Sequence, residues 1–357
     1  MTGGDATHFK FLGGRGLRLL LLAVLAAPVA AQNGPSTSRP GSILFFPQLL
    51  VDADHETVVR VTNTSNSMRL ASCFYVSGDT LQETGFDLVL TKQQPTHWLV
   101  STGRQVDPTD RLCSRVNGEC GDAGLDPGLV PAMQPSFRGE LVCVQTDESG
   151  FPSPGNSLTG EVTVRDTASG DSATYTALAV QGNPDTFISA PVLQLNASDL
   201  LPNGDYAACP QTLVLTHLAA GAADPLAGPG STVQTELTLV SCSQDFANRE
   251  LTAVTVGFDV TNEFEQKLSA SIQFTDWLSA SLTDISGVFG VALAGSASLR
   301  TQITPLPGGP GVLAVAREVH AVGAAAPVTA SAAANLHIQG SRADIGASDV
   351  ISLPSAF

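Results

Sequence analysis

The sequence predicts an all-β protein of two β-sandwich domains with immunoglobulin-like architecture, which follow a cleaved signal peptide. Three observations support this prediction: polarity alternates with a period of two residues along many short segments, six cysteines stand after residue 31, and the chain opens with a basic and then apolar segment. No segment places apolar residues at helical spacing over three turns behind a capping residue, so substantial helix is not supported.

The first 31 residues have the pattern of a secretory signal peptide. Lys10, Arg15 and Arg18 precede an apolar run from Leu19 to Ala27, and a small-residue cleavage pattern ends at Ala31. This run is about half of the roughly 20 residues that cross a bilayer as a helix, so a removed signal is the better interpretation. We expect export through the secretory pathway to the periplasm or the cell exterior, with no transmembrane segment in the mature chain.

The charge balance is strongly acidic. The chain has 17 Lys and Arg against 33 Asp and Glu, a net charge of −16. An acidic surface repels phosphate backbones, because nucleic-acid binding needs clustered cations that release counterions. We therefore expect no nucleic-acid partner; the sequence points to an unknown protein or glycan partner and to no cofactor.

Six cysteines remain after the predicted signal, and an even number in an oxidising compartment favours disulfides. The most economical pairing joins Cys73 to Cys143, Cys113 to Cys120, and Cys209 to Cys242. The chain has no Cys-x-x-Cys and no histidines paired at ligand spacing, so the sequence does not favour zinc.

Length and turn-forming residues predict two domains. Asn, Asp, Pro and Gly accumulate between Asn196 and Tyr206, which is the composition of a connecting segment. We therefore predict a first, disulfide-containing domain over residues 32–196 and a second over residues 197–357.

Alternation is clearest in two segments of the second half. From Val254 to Val260 and from Leu268 to Phe274, every second residue is apolar. This pattern is typical of half-buried strands, and Gly, Pro, Asn and Asp separate the segments. The other predicted strands are Ile43 to Val51, Thr57 to Asn63, Leu70 to Val76, Phe86 to Thr91, Thr96 to Ser101, Glu140 to Thr146, Gly160 to Arg165, Tyr175 to Val180, Thr212 to His217, Val233 to Ser241, Ala297 to Thr304, Gly311 to Val319 and Ala330 to Ile338.

Three segments resemble parts of other exported proteins: Thr62 to Asn66, Cys73 to Val76 and Lys92 to Trp98. They are similar to segments of an uncharacterised group of exported bacterial β-rich proteins with no assigned activity. The resemblance implies secretion and a β fold, and it transfers no site residue.

The order Cys73, Trp98, Cys143 resembles the architecture of immunoglobulin-like domains, in which an indole packs on an inter-sheet disulfide. The spacing differs from that family, and no Tyr stands two positions before Cys143.

The acidic segment from Asp107 to Asp126 is the best candidate for a specific site. Calcium takes six to eight oxygen ligands, and carboxylates held by a Cys113–Cys120 bridge are suitable donors. The spacing matches no known calcium loop, and a solvated acidic loop has the same composition, so we assign no metal ligand. The oxygen-bearing residues are Asp107, Asp110, Asn117, Glu119, Asp122 and Asp126.

No catalytic constellation stands out. Gly170-Asp171-Ser172 is similar to the nucleophile block of one esterase family, but a polar turn between strands explains it better. His97 and Ser101 share a strand face about 13 Å apart, too far for the hydrogen bond of a nucleophile and its base. The remaining histidines are isolated in the sequence: His55, His217, His320 and His337.

The leading functional hypothesis is an exported, non-enzymatic protein with a binding or cell-surface role. One alternative is a secreted hydrolase whose active site is built from distant loops. Another is a carbohydrate-binding module, which needs exposed aromatic platforms; the chain offers Trp98 and Trp277, of which Trp277 is the better candidate.

Overall fold

The structure is a computed structural model, and it describes residues 34–106, 125–186, 190–224, 230–322 and 328–354. The predicted signal peptide, the expected Cys113–Cys120 pair and residues 107–124 of the acidic segment lie outside these residues. Strands dominate the described chain. In order they are β1 (Ile43–Val51), β2 (His55–Asn63), β3 (Arg69–Ser77), β4 (Glu83–Leu90), β5 (Pro95–Leu99), β6 (Phe137–Thr146), β7 (Leu158–Asp166), β8 (Ser172–Thr176), β9 (Leu178–Val180), β10 (Val192–Ala197), β11 (Tyr206–Ala207), β12 (Pro210–Leu218), β13 (Ser231–Ser241), β14 (Gln244–Asp245), β15 (Ala253–Asn262), β16 (Lys267–Thr275), β17 (Trp277–Ser281), β18 (Ser298–Pro305), β19 (Val312–Val322), β20 (Val328–Asn335), β21 (His337–Ser341) and β22 (Asp349–Ser352).

Helix is confined to single turns in the described chain. The α-helical turns are α1 (Leu282–Ile285) and α2 (Val291–Ala294), and the 3-10 turns are Gly287–Phe289 and Arg342–Ile345. The α1 turn begins after Ser281, whose hydroxyl accepts the Asp284 N–H, a cap that replaces a missing backbone partner.

Two sheets of the N-terminal half pack face to face. One has five strands in the order β4-β3-β6-β1-β9, and the other has four in the order β5-β2-β7-β8. Alternate side chains from both sheets meet in one apolar core, including Leu44 and Cys73 from the first and Val59 and Val162 from the second. The two sheets therefore share one apolar core.

The five-stranded sheet is also covered on its second face. Ile43, Phe45 and Phe74 pack in another apolar core with Leu193 of β10 and Ile351 of β22. These last two strands belong to a small mixed sheet in the order β11-β10-β22-β14. Burial on both faces explains why β1 is an almost unbroken apolar run and not an alternating one.

A nine-stranded sheet forms most of the C-terminal half. Its order is β20-β19-β13-β17-β16-β15-β18-β12-β21. The two edge strands follow one another in the chain with only Leu336 between them, so β20 pairs with β19 and β21 pairs with β12. The sheet therefore curls until its edges meet, around a core that contains Phe258, Phe289 and Ile303.

The all-β prediction is confirmed, but the prediction of two immunoglobulin-like sandwiches is wrong. The strands are distributed over four sheets, and the second half is one curled sheet with a small sheet beside it. The predicted boundary at residue 196 falls inside β10, and the division into two domains stays a prediction. Alternation along a strand fixes which side chains face the core, but strand pairing is set by long-range contacts that alternation does not encode.

Two disulfides lie in the described chain. Cys73 on β3 is bonded to Cys143, directly opposite on β6, and Cys209 is bonded to Cys242. These are two of the three pairs expected from the sequence. No helix among the described residues is long and apolar enough to span a membrane.

Candidate functional site

A cleft of about 680 Å³ lies on the outer face of the nine-stranded sheet. We call it the Arg342 cleft. Strands β15, β16 and β18 form its floor, and two loop segments form its walls. The lining residues are Gln211, Gly257, Phe258, Asp259, Ser269, Ala270, Thr304, Pro305, Leu306, Pro307, Gly308, Gly309, Arg342, Ile345, Gly346, Ala347 and Ser348.

The floor is polar because strand alternation turns polar side chains outward. Phe258 of β15 is buried in the core, so its neighbours Gly257 and Asp259 face the cleft. Asp259 is directly opposite Ser269 on β16, and Gly257 is opposite Thr304 on β18. One carboxylate, two hydroxyls and a glycine without a side chain therefore make an open, hydrogen-bonding floor.

Arg342 holds the two walls together. Its side chain is buried, and its Nη2 donates to the carbonyl of Gly309 in the opposite wall. Its Nε donates to Asp349 Oδ2 at 3.2 Å, and its backbone N–H donates to the carbonyl of Cys209 at 3.0 Å. The guanidinium therefore ties the wall that carries Ile345 to the 306–309 turn.

Asp349 completes this anchor. Its Oδ1 accepts the backbone N–H of Gly311 at 2.7 Å and the hydroxyl of Ser243 at 3.2 Å. Asp349 is fully buried, and its charge is matched by that of Arg342. Buried charges that are paired and hydrogen-bonded hold a fixed geometry, so the cleft is preformed.

The Arg342 cleft combines an apolar rim with a few polar groups. Leu306 and Ile345 remain 46% and 58% exposed at its edge, which gives it an apolar rim. Its lining contains no histidine, cysteine or lysine, and its hydroxyl and carboxylate groups come from Ser269, Thr304, Ser348 and Asp259. Asp259 is its one acidic lining residue, and the cationic Arg342 is already paired.

Cys209, Cys242 and Asp349 are the one group of three potential metal ligands found among the described residues. Both sulfur atoms are joined in a disulfide, and Asp349 is paired with Arg342. A metal ion needs free thiolates and an uncompensated carboxylate, so these residues do not fit a metal centre.

A second pocket, of about 260 Å³, lies where the sheet β5-β2-β7-β8 meets the nine-stranded sheet. We call it the His55 pocket. His55 begins β2 and is directly opposite Asp166 at the end of β7. The residues that line it are His55, Asp166, Gln234, Glu236, Ser281, Arg317, Val319 and Ser331.

His55 is oriented by an aspartate. Its Nδ1 lies 2.9 Å from Asp52 Oδ1, and the same carboxylate oxygen accepts the backbone N–H groups of Asp54 and His55. Burial by itself would raise the pKa of Asp52, but these hydrogen bonds and the imidazole lower it. The pKa of Asp166 is lowered by hydrogen bonds from Ser169. Both carboxylates are therefore ionised beside the histidine at neutral pH.

Glu236 forms the opposite side of the His55 pocket. Its Oε2 accepts from Arg317 Nη2 at 2.8 Å, and its Oε1 accepts from Arg138 at 3.2 Å and from the Ser279 hydroxyl at 3.1 Å. A carboxylate with this many donors is held in one position by charge-assisted hydrogen bonds. Glu236 therefore contributes structure and charge to the pocket, and His55 is its candidate proton acceptor.

The residues that the sequence analysis weighed for catalysis do not form a site together. His97 is exposed on β5, while the hydroxyl of Ser101 donates to Glu56, and no hydrogen bond joins His97 to Ser101 in the described chain. Gly170 and Asp171 lie in the turn between β7 and β8, as the turn interpretation expects, and Asp171 accepts a hydrogen bond from Ser331.

Three of the histidines that appeared isolated in sequence have side-chain partners. Besides His55 with Asp52, His320 lies 2.7 Å from Asp224, and the Nε2 of His217 lies 2.9 Å from the Thr301 hydroxyl. His337 is exposed on β21. The spacing Asp52-x-x-His55 across a turn was the available sequence signal for the first pair; the His320–Asp224 contact joins residues too distant for any local pattern.

Neither tryptophan offers an exposed platform. Trp98 is buried and donates its indole N–H to the Tyr75 hydroxyl at 2.6 Å. Trp277 is 8% exposed, and its indole N–H donates to the carbonyl of Pro47 at 2.8 Å. Stacking on a sugar ring needs an open aromatic face, so the carbohydrate-binding alternative loses the residues on which it depended.

The acidic segment proposed for calcium is described only at its end. Asp126 forms an ion pair with Arg104 and accepts the backbone N–H of Gly128 at 2.8 Å. Asp107, Asp110, Asn117, Glu119 and Asp122 lie outside the described residues. The calcium site stays a prediction from the sequence.

Comparison with models of known protein families gives no match, and comparison with curated protein sequences also gives none. Among solved structures, the chain is similar to the crystal structure of Thermotoga maritima 1070, at 8% sequence identity and a TM-score of 0.27. The match covers 40% of this chain and 98% of that one. A likeness at this level carries no functional argument, so the candidate sites rest on their own geometry.

Proposed function

We propose that this chain is an exported, non-enzymatic binding protein whose ligand occupies the Arg342 cleft. The observation that carries the proposal is the cleft itself, with its walls fixed by the buried Arg342–Asp349 pair. Ligand sites are typically preformed concavities of about 300–1,000 Å³ that combine apolar surface with a few placed polar groups. The signal-like N-terminus and the two disulfides support export.

The lining favours a peptide-like ligand with aliphatic and uncharged or cationic groups. Asp259 repels anions, and the engaged guanidinium of Arg342 does not attract them. Leu306 and Ile345 offer aliphatic contacts, whereas no exposed aromatic side chain lines the cleft for sugar stacking. Backbone groups of the Gly308–Gly309 turn and the hydroxyls of the floor supply hydrogen bonds.

The experiment is a binding screen of the mature protein on an array of short peptides, followed by titration of the strongest peptide. Ser269→Trp places a large side chain on the floor, and we expect it to weaken binding at least about tenfold, or about 1.4 kcal/mol. Gln273→Trp is the matched control, because Gln273 is exposed on the same strand, about 13 Å away. Equal affinity of wild type and Ser269→Trp, or no peptide bound, contradicts the proposal.

A second candidate function, a hydrolase, is favoured by one specific observation. His55 is oriented by Asp52 and lines a pocket that also contains Ser281 and Ser331. An imidazole held by a carboxylate is the usual arrangement of a general base. In the described structure, however, neither serine is hydrogen-bonded to His55, and the Ser331 hydroxyl donates to Asp171.

Turnover of ester, glycoside and peptide substrates decides between the two functions. Hydrolysis by the wild type that falls at least about 100-fold in His55→Gln supports the hydrolase. His97→Gln is the control, because His97 is exposed outside the pocket. Absence of turnover, or turnover that His55→Gln retains, leaves binding as the function.

A further inference from the structure

Strand β1 has a bulge opposite Glu140. In the β1–β6 ladder, Phe46 is opposite Leu141 and Leu49 is opposite Gly139, so the two residues Pro47 and Gln48 face Glu140 alone. A bulge turns the extra side chain out of the regular pattern. Here it directs Gln48 toward β13, where its Nε2 donates to the Thr238 hydroxyl at 3.1 Å.

Gln48 and Glu140 each have one buried oxygen without a hydrogen-bond partner in the described structure. The atoms are Gln48 Oε1 and Glu140 Oε2. The other oxygen of Glu140 accepts from Gln244 Nε2 at 2.8 Å. Both side chains are almost completely removed from solvent. Native proteins rarely leave such groups unpaired, because each costs about 1–3 kcal/mol.

A proton on Glu140 would make its Oε2 a hydrogen-bond donor, and Gln48 Oε1 is a buried acceptor at the same bulge. An ionised carboxylate only accepts hydrogen bonds, but a neutral carboxyl group also donates one. Burial raises the pKa of Glu140 to about 8; the Gln244 hydrogen bond lowers it and the charge of Asp276 raises it. At neutral pH, Glu140 is therefore mostly a neutral acid with a proton to donate.

No cation pairs with Glu140 in the described structure. Arg138, two residues away on β6, is hydrogen-bonded to Glu236, and Arg249 lies 3.9 Å from Glu83. The ionisable groups around Glu140 are therefore either acidic or already paired. The ionisable groups on the elements that pack around the β1 bulge are Tyr175, Glu83, Asp245, Asp276, Arg138, Arg249, Glu236 and Arg317.

We propose that Glu140 is a proton-operated latch: its neutral carboxyl group donates a hydrogen bond to Gln48 Oε1, and loss of this proton weakens the junction between the five-stranded and nine-stranded sheets. The junction depends on the same bulge. Gln48 donates to Thr238 and Pro47 accepts the Trp277 indole N–H, both in the nine-stranded sheet, while Glu140 accepts from Gln244 of the small mixed sheet. Ionisation places a negative charge against the amide oxygen of Gln48, which pushes the two sides of the bulge apart.

The first test compares pH dependence of unfolding in wild type and Glu140→Gln between about pH 4.5 and pH 8. The amide at position 140 retains both hydrogen bonds, because its NH₂ donates to Gln48 and its oxygen accepts from Gln244, but it has no proton to lose. We expect the wild type to lose stability as pH rises through this range and Glu140→Gln to lose distinctly less. Glu161→Gln, whose side chain is 41% exposed at the surface of β7, is the control and keeps the wild-type slope. A slope in Glu140→Gln as steep as that of the wild type overturns the proposal.

The second test observes the proton directly. Infrared spectra at pH 6 should contain the carbonyl band of a buried protonated carboxyl group that disappears in Glu140→Gln. If that variant does not fold, the Glu83→Gln/Asp276→Asn double variant serves instead, because the pKa values of Glu83 and Asp276 are also raised. A band retained in the double variant supports Glu140 as its source. Absence of the band from the wild type, or its loss from the double variant, overturns the latch.

Discussion

Arg342 and Asp349 form a buried ion pair, with Nε to Oδ2 at 3.2 Å, at the base of the Arg342 cleft. The pair joins three parts of the chain that are distant in sequence. Arg342 also bonds the carbonyl of Gly309, and Asp349 also bonds the N–H of Gly311. The backbone of the Cys209–Cys242 bridge is hydrogen-bonded to the same region. The Arg342 N–H donates to the carbonyl of Cys209, and the Cys242 N–H donates to the carbonyl of Gly311. The cleft therefore has its rigid support directly beneath it.

Arg342→Met should destabilise the protein by about 3–5 kcal/mol. Removing one partner leaves the charge of Asp349 buried without its cation, which costs more than the pair contributes. Urea unfolding at neutral pH measures the effect. Arg60→Met is the matched control: Arg60 pairs with Glu161, their side chains are 60% and 41% exposed, and the loss should stay below about 1 kcal/mol. Similar losses for the two variants would contradict a structural role for the buried pair.

The Cys73→Ala/Cys143→Ala double variant should lose about 4 kcal/mol of stability. The bridge closes a loop of 70 residues, and cross-linking a loop of this size removes entropy mainly from the unfolded chain. Urea unfolding of oxidised wild type and of the double variant gives the difference. The variant should retain a β-rich circular dichroism spectrum, because β3 and β6 remain paired along their length. Unchanged stability would mean that the bridge does not constrain the unfolded state.

The sequence predicted most of the longer strands but not how they pair; β10, β11, β14, β17 and β22 were not among the predicted strands. In β15, Val254, Val256, Phe258 and Val260 are all buried, as alternation required. The curled sheet depends instead on the break at Leu336, where consecutive strands join opposite edges. No local pattern distinguishes that break from an ordinary turn. A second sandwich was the expectation, because regular short strands are equally typical of both arrangements.

The candidate sites were less predictable than the strands. The Arg342 cleft combines residues near positions 211, 257, 269, 304 and 345, which only the folded sheet brings together. Arg342 and Asp349 gave no motif because ion pairs have no characteristic spacing. Asp52 and His55 are close in sequence, but they become a candidate site only because residues of the nine-stranded sheet form a pocket beside His55.

Glu83 should titrate near neutral pH and respond to Arg249. Burial raises its pKa to about 7, Arg249 lowers it in part, and Asp245 and Asp276 raise it. Because the folded pKa exceeds the ordinary value of 4.5, the contribution of Glu83 to stability is fully present below about pH 4.5 and is lost as pH rises to about 7. Arg249→Gln removes the cation and should raise the pKa further. NMR titration of the Glu83 carboxyl carbon measures it; an unchanged or lower value would contradict the assigned influence of Arg249.

Gly311→Ala should destabilise the anchor of the Arg342 cleft by about 1–3 kcal/mol through overpacking. A Cβ atom at this position would lie 2.8 Å from Arg342 Cδ, from Asp349 Oδ2 and from Cys209 Cβ, so the ion pair or the bridge must move. Gly257→Ala is the matched control on the floor of the same cleft, because the nearest heavy atom to its new Cβ is 3.9 Å away. That substitution should be neutral or slightly stabilising, since glycine within a strand has an entropic cost. Urea unfolding of both variants separates the two cases. If Gly311→Ala is as stable as Gly257→Ala, the anchor has more free space than its contacts indicate, and the cleft is not held rigidly by it.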